Sequence, residues 1–268
     1  MPVAGAETQA HPGAVGFLFA HQDDEFAISP RITLERASGR EVFCAYLTNG
    51  GEAGIGQRCA ESHRVLESLG VDNRNVRFIG TARGIPDGAL YLRAAEAFEA
   101  ASEWLRASGP LAALYVPAWE GGHHDHDVTH AIGVLLAARK IVPVSHVWQF
   151  PVYRAVGGIP QLFRVMSPLP QNGDVQSRRL TLTAGWRAFA QILSYPSQWR
   201  SFLGLGPGTA IKYVVLRRQH IQNTSADRLS ERPHAGPLFY ERRYGVSFTE
   251  VLDTVRSLST KATGAEPG

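Results

Sequence analysis

Cysteine and long apolar runs are what this sequence has least of, and each shortage removes a class of protein. Of 268 residues only Cys44 and Cys59 are cysteines, one in an apolar run and one in a helical stretch. Neither a disulfide framework nor a spaced cysteine metal site can be built from them. No apolar run approaches the ~18 residues a membrane helix needs. No N-terminal segment joins a basic stretch, an apolar stretch and a cleavage site. A cytoplasmic location and no membrane partner are the expectations. Charge of one sign is scarce as well, with 27 basic against 24 acidic side chains for a net +3. The arginines are scattered, and Arg217-Arg218 and Arg242-Arg243 are only pairs. Nucleic acid, which needs clustered cations on one face, is not an expected partner. Repeats and low-complexity blocks are missing, and no single exposed apolar stripe marks an interface, so a homo-oligomer is compatible with the sequence but not specified by it.

What is present is the composition of an ordinary globular protein, 44% hydrophobic and 19% charged. Ala14 to Ala20 is a continuous apolar run without a polar face, as expected for a strand buried on both sides. Further strands are predicted at 42–47, 76–79, 112–116 and 144–150. Helices are predicted from about residue 26 through Leu34 and at 57–69, 94–107 and 128–139. This alternation implies βαβ units, hence an α/β fold with a mainly parallel sheet and helices on both faces. Beyond Pro151 the pattern loosens. Six prolines are interleaved with Tyr153, Phe163, Trp186, Tyr195, Trp199 and Phe202 between 151 and 210. One helix, 183–193, is predicted there, and the rest reads as loops and short strands covering one sheet edge, an irregular C-terminal portion. Trp186 and Phe189, at helical spacing, read as core. The expected organisation is a tail over 1–13, one α/β unit over 14–260 (core 14–150, substrate-side elements 151–260), and a frayed tail over 261–268.

Two clusters of metal-ligating residue types occupy matching places. His21-Gln22-Asp23-Asp24-Glu25 follows the first strand, and His123-His124-Asp125-His126-Asp127 follows the fourth after a short loop. In open α/β sheets ligands bind beyond the carboxyl ends of the strands, so parallel strands lying near one another would bring both clusters to one site. A lone His or Asp after a strand is ordinarily a cap or turn residue, but two such runs in a chain with ten histidines are better read as a metal site. Nitrogen and oxygen donors without cysteine favour Zn2+, while Fe2+, Co or Mn fits the same set. A His-x-His-x-Asp-His motif fails because Val128 and Thr129 stand where Asp-His is needed, and His-Glu-x-x-His is absent.

Ala20-His21-Gln22-Asp23-Asp24-Glu25 and His123-His124-Asp125-His126 resemble the two hallmark motifs of the LmbE-like / PIG-L de-N-acetylases, Ala-His-Pro-Asp-Asp-Glu and His-Pro-Asp-His. Leu47-Thr48-Asn49-Gly50, Arg58 with Glu61, Leu69-Gly70-Val71 and Asp87-Gly88-Ala89-Leu90 are similar to the blocks between them. Tyr195-Pro196-Ser197-Gln198 is similar to a weaker block further on. The resemblance is strong over 14–150 and thin beyond. It implies a Rossmann-like fold and a mononuclear zinc held by His21, Asp24 and His126. Asp23 would be the general base, His123 the acid or electrophile, and Asp125 its orienting partner, with Arg58 and Asp87 gripping sugar hydroxyls. An Arg–carboxylate pair on a surface is an equal alternative for those last two.

The chemistry implied is hydrolysis of an N-acyl amide, above all N-acetyl, on an amino-sugar-like small molecule, with a zinc-held water as nucleophile. Asp23 would accept its proton, and a protonated His123 would face the oxyanion. Gln22 and His124 replace the motif prolines, and His124 adds a spare imidazole. Gly121 stands where some relatives carry an oxyanion-supporting Tyr. An amidase acting on larger N-acyl conjugates and a catalytically silent carbohydrate-binding protein are the alternatives.

Overall fold

The first strand, β1 (Ala14–Phe19), is buried along five of its six residues and lies inside a seven-stranded sheet, third from one edge. The computed structural model describes residues 13–51, 54–155 and 163–263. The expected N-terminal tail falls outside these except at Gly13. After β1 come α1 (Ser29–Ala37), β2 (Val42–Tyr46), α2 (Ile55–Ser68), β3 (Val76–Phe78), α3 (Ile79–Arg83), α4 (Ala94–Ala107), β4 (Leu111–Pro117), α5 (His124–Ala138) and β5 (Val147–Phe150). The chain continues through a small hairpin of β6 (Tyr153–Ala155) and β7 (Phe163–Val165), then β8 (Val175–Arg179), α6 (Leu182–Ala190), α7 (Trp199–Ala210), β9 (Arg218–Asn223), α8 (Phe239–Arg243) and α9 (Phe248–Thr263).

Strand order is β3-β2-β1-β4-β5-β9-β8. The first five strands are parallel, and β9 and β8 are antiparallel at one edge. The parallel part has the order of a Rossmann-like sheet, whose direction of winding reverses between β1 and β4; a crevice opens there at the carboxyl ends. This bears out the α/β reading and the placement of the extra strands at one edge.

Alternate side chains of the buried strands feed two cores. On one face Leu18, Leu114 and Val116 pack with α4, α5 and α9. On the other Phe17, Phe19, Tyr46 and Tyr115 pack with α1, α2, α6 and α7. Helix α5 is buried from His124 to Ala137, as a helix with no solvent-facing side must be.

The elements differ from expectation in three places. Helix α5 begins four residues earlier than predicted, so the second polar cluster forms its first turn; Asp125 and Asp127 suit that end, where free N–H groups favour acidic side chains. Helix α7 contains Gly204, Gly206, Pro207 and Gly208, a composition that argues against a helix. It forms because Phe202, Leu205 and Thr209 are buried and because it lies close against β7. A Cβ on Gly208 would stand 2.6 Å from a Val165 methyl. Residues 261–263, expected to fray, continue α9.

Candidate active site

The loop after β1 folds back on itself. Asp24 Oδ2 accepts the backbone N–H groups of Ala20 (2.9 Å) and His21 (2.8 Å). That leaves Asp24 Oδ1 facing His126 Nε2 at 2.9 Å. His21 Nδ1 lies 3.2 Å from the same His126 nitrogen and 3.8 Å from Asp24 Oδ2. A tetrahedral ion with bonds of ~2.0–2.1 Å needs ligand atoms roughly 3.3 Å apart, and these separations bracket that value. All three residues are buried. The donor set, two imidazoles and one carboxylate, is that of a zinc or ferrous site.

Asp23 sits between two of these ligands with φ 144°, a backbone conformation that a non-glycine residue adopts only when its surroundings hold it there. They do so from two sides. Its N–H donates to Glu25 Oε2 (3.2 Å), and its carboxylate accepts from Arg58 Nη2 (3.3 Å). Arg58, on the first turns of α2, also donates to the carbonyls of Gln22 (2.9 Å) and Gly50. Burial pushes the Asp23 carboxyl up to about 7, against the pull of Arg58. Asp24 goes the other way: burial is outweighed by His126 and His21, which hold it well below the carboxylate range.

His123 is the residue at the N-terminus of α5, and its Nδ1 accepts the backbone N–H of Asp125 at 3.1 Å. That contact puts the ring proton on Nε2, which faces Asp87 Oδ1 at 3.8 Å. Orientation of His123 thus comes from the main chain of Asp125. The Asp125 carboxylate, expected beside His123, lies 3.9 Å from Nδ1. It accepts instead from His21 Nε2 (3.2 Å), Gly88 N–H (2.7 Å) and Leu90 N–H (3.1 Å). Burial, and then the neighbouring His21, push the His123 pKa well below its ordinary value, the direction opposite to the expected protonated form. On His21 the effect of burial is overcome by Asp87, Asp125 and Asp24, which push its pKa well above the ordinary value.

Arg58 and Asp87 meet at the same place. Asp87 Oδ1 is 3.2 Å from His21 Nε2, and Oδ2 is 3.6 Å from Arg58 Nη1. Arg58 is buried and Asp87 partly open, so the pair lines the site rather than the outer surface. The spare imidazole of His124 turns away: its Nε2 bonds Gly88 O at 2.8 Å and its ring stacks on His123. His126 alone of the two reaches His21 and Asp24.

Gly121, where a relative's tyrosine would stand, has φ 71°, and a Cβ there would be 2.6 Å from Leu238. Two tyrosines to which the sequence assigns no role flank the site instead. The Tyr153 ring packs 5.6 Å from His126 and the Tyr244 ring 4.7 Å from His123, centroid to centroid. Burial, then the nearby Tyr244, Asp24 and Asp23, keep the Tyr153 phenol well above its ordinary pKa and hence a hydrogen-bond donor. Neither could have been found from the sequence, since each lies outside both motifs and arrives through the tertiary fold.

Residues 17–137 match the sequence profile of PIG-L, described as GlcNAc-PI de-N-acetylase. No curated protein matches the sequence. Among solved structures, a triple mutant of a deacetylase of the teicoplanin biosynthetic pathway is 17% identical, with 80% of this chain and 99% of that one covered and a TM-score of 0.58. The zinc-inhibited form of teicoplanin deacetylase Orf2 is 13% identical over the same shares, with a TM-score of 0.59. The A40926 pseudoaglycone deacetylase Dbv21 is 14% identical over the same shares, with a TM-score of 0.55. At these identities the likeness is one of fold.

Proposed function

We propose, from the match of residues 17–137 to the PIG-L profile, that the protein is a metal-dependent N-deacetylase acting on an amino-sugar-like small molecule. One observation carries the reading: His21 and Asp24 after β1 converge with His126 of α5 on a single buried point, with Asp23 pinned beside it. His21, Asp24 and His126 would hold a divalent ion, zinc by donor type, which when bound supplies a more acidic water and a polarised amide carbonyl.

The remaining chemistry belongs to the side chains. Asp23, with a carboxyl pushed up to about 7, is poised to take a proton from attacking water near neutral pH. Arg58 fixes the direction of that carboxylate. His123 points its Nε2–H toward the site and can donate a hydrogen bond to the carbonyl oxygen as negative charge grows there, and the proton that Asp23 took can pass to the departing amine. Tyr153, packed on His126, offers a phenolic donor where some relatives would use a tyrosine at 121. Asp87, half-open and next to Arg58, is placed to accept sugar hydroxyls. Release of the amine and the carboxylate completes hydrolysis.

Deacetylase activity in the structural neighbours supports this class. A larger acyl group is a second reading, favoured by the aromatic wall of Tyr153, Phe163, Phe239 and Tyr244, whose rings pack edge to face. The deciding experiment measures metal per chain together with acetate and longer-acyl release from N-acyl glucosamine derivatives, before and after chelation. One ion per chain and chelator-sensitive acetate release are expected. Loss of the metal without loss of turnover would remove the proposal.

A further inference from the structure

Between Val175 and Ala226 the sequence has no Asp or Glu and has seven cations: Arg178, Arg179, Arg187, Arg200, Lys212, Arg217 and Arg218. Among the described residues none of the seven enters an ion pair, whereas ten other arginines do. The same stretch leaves its large apolar side chains in water. On α6 and the turn after it, Leu182, Trp186 (52% exposed) and Leu193 (78%) stand on the face opposite the buried Gly185, Ala188 and Ile192. On α7 and the turn that continues it, Trp199 (56%), Leu203 (69%), Ile211 and Val215 follow at i, i+4, i+12 and i+16, opposite Phe202, Leu205 and Thr209. Side chains at i and i+4 share one helix face. Each helix is therefore apolar inward and apolar outward, with cations beside the outer stripe.

Helices α6 and α7 are neighbours through the turn at 211–215, since a Cβ on Gly185 would reach Tyr213 O at 2.0 Å. Arg200 lies over the Trp199 ring, 5.2 Å from its centroid. Beside α6 a groove of about 690 Å³ is lined by Arg178, Arg179 and Arg187 and, among the described residues, by no acidic side chain. Trp and Leu set among unpaired Arg and Lys is the make-up of an element lying in a lipid–water interface.

We propose that the α6–α7 surface docks on an anionic lipid bilayer, with Trp186, Leu193, Trp199 and Leu203 entering the interface and the unpaired cations meeting lipid phosphates. This differs from the sequence-based expectation of no membrane partner. It requires no spanning segment, and no helix among the described residues is long and apolar enough to cross a membrane. A second copy of the chain fits the face poorly, because symmetric pairing sets seven cations against the same seven. Docking is independent of the deacetylase reading, though the surface adjoins the site. Ser197, just before α7, bonds Glu61 of α2, one turn from Arg58. Phe163 lies between Gly204 and Tyr153, which packs on His126.

The test is co-sedimentation of the full chain with phosphatidylcholine vesicles made with and without phosphatidylglycerol, over a range of salt. Pelleting with the anionic vesicles, weak pelleting with phosphatidylcholine alone, and release by salt are expected. The double variant Trp186→Ser/Trp199→Ser should lose ~10-fold or more in affinity, and Arg187→Ser/Arg200→Ser/Lys212→Ser should lose the phosphatidylglycerol dependence. Melting curves of the variants should overlay the wild type. Quenching of wild-type tryptophan fluorescence by brominated acyl chains reads insertion without any substitution. No pelleting with anionic vesicles, or no quenching, overturns the proposal. So does a concentration-dependent dimer that the tryptophan variants abolish in a protein that ignores vesicles.

Discussion

The loops after β1 and β4 and the helical layer over 175–218 hold polar groups in opposite ways. In the loops, charge is buried and most of the carboxylates accept from defined partners. Asp24 takes two backbone N–H groups and an imidazole, Asp125 two N–H groups and His21, and Asp127 the N–H groups of Glu120 and Gly121. In the helical layer the cations are unpaired and apolar side chains face water. The first arrangement fixes atoms to tenths of an ångström, as a reacting site requires. The second leaves its groups free to meet a large, deformable surface. One chain thus separates a rigid chemical centre from an adaptable face, and substitutions in the two regions should act on different observables.

The largest effect belongs to Asp23→Asn. The amide keeps the shape and can still accept from Arg58, but it cannot take a proton. Turnover should fall by ~10²- to 10⁴-fold with metal content unchanged, as read by elemental analysis beside steady-state kinetics. Retained turnover would take the general base away from Asp23. Next comes metal removal. An ion binding only the folded chain stabilises it by about 4 kcal/mol when present at a thousandfold its Kd. Chelation should lower the melting temperature, zinc should restore it, and Asp24→Ala should show neither response. Equal melting with and without zinc would separate the three donors from any metal.

These predictions lean on residues that the sequence itself makes legible. His21, Asp23, Asp24, Asp125 and His126 stand in two short runs, each just after an apolar strand, and a parallel sheet brings such runs together at the switch between β1 and β4. The sheet is legible for the same reason: strands buried on both faces read as unbroken apolar runs. Arg58 and Asp87 can be named from motif resemblance, but only packing reveals that they touch Asp23 and His21. Tyr153 and Tyr244 carry no local signal. Helix α7 is hidden by its glycines and proline, whose reason is the close approach to β7. Trp186 reads as core yet lies half in water, because hydrophobic periodicity reports that a face is apolar, not whether protein or water lies against it.

A smaller effect separates two histidines on one helix. His126 faces the donor cluster, while His130, one turn on, has Nδ1 2.9 Å from Pro117 O and its other nitrogen buried without a partner beside Trp119. Burial lowers the His130 pKa to about 4 from 6.5. The folded state refuses a proton that the unfolded chain accepts, so stability is complete above pH 6.5 and declines as pH falls through the window to 4. The decline from this residue is bounded by roughly 3 kcal/mol at 1.36 kcal/mol per unit. In urea titrations across that window His130→Gln should lose stability less steeply than the wild type. Parallel slopes would assign the acid sensitivity elsewhere.

The smallest expected effect sharpens the comparison most. Trp199→Ser removes the largest kind of apolar side chain from a helix in contact with the second core. Were Trp199 part of that core, truncation would cost about 3–5 kcal/mol. It is 56% exposed, whereas Phe202, three residues on, is buried against Phe26 and Tyr195. An exposed position that makes no ion pair or side-chain hydrogen bond changes stability by no more than ~0.5 kcal/mol. Phe202→Ser should therefore unfold the protein at distinctly lower urea while Trp199→Ser overlays the wild type. Similar losses in both would mean that the outer stripe of α7 is covered in solution, and the contrast between a wired centre and an open face would end there.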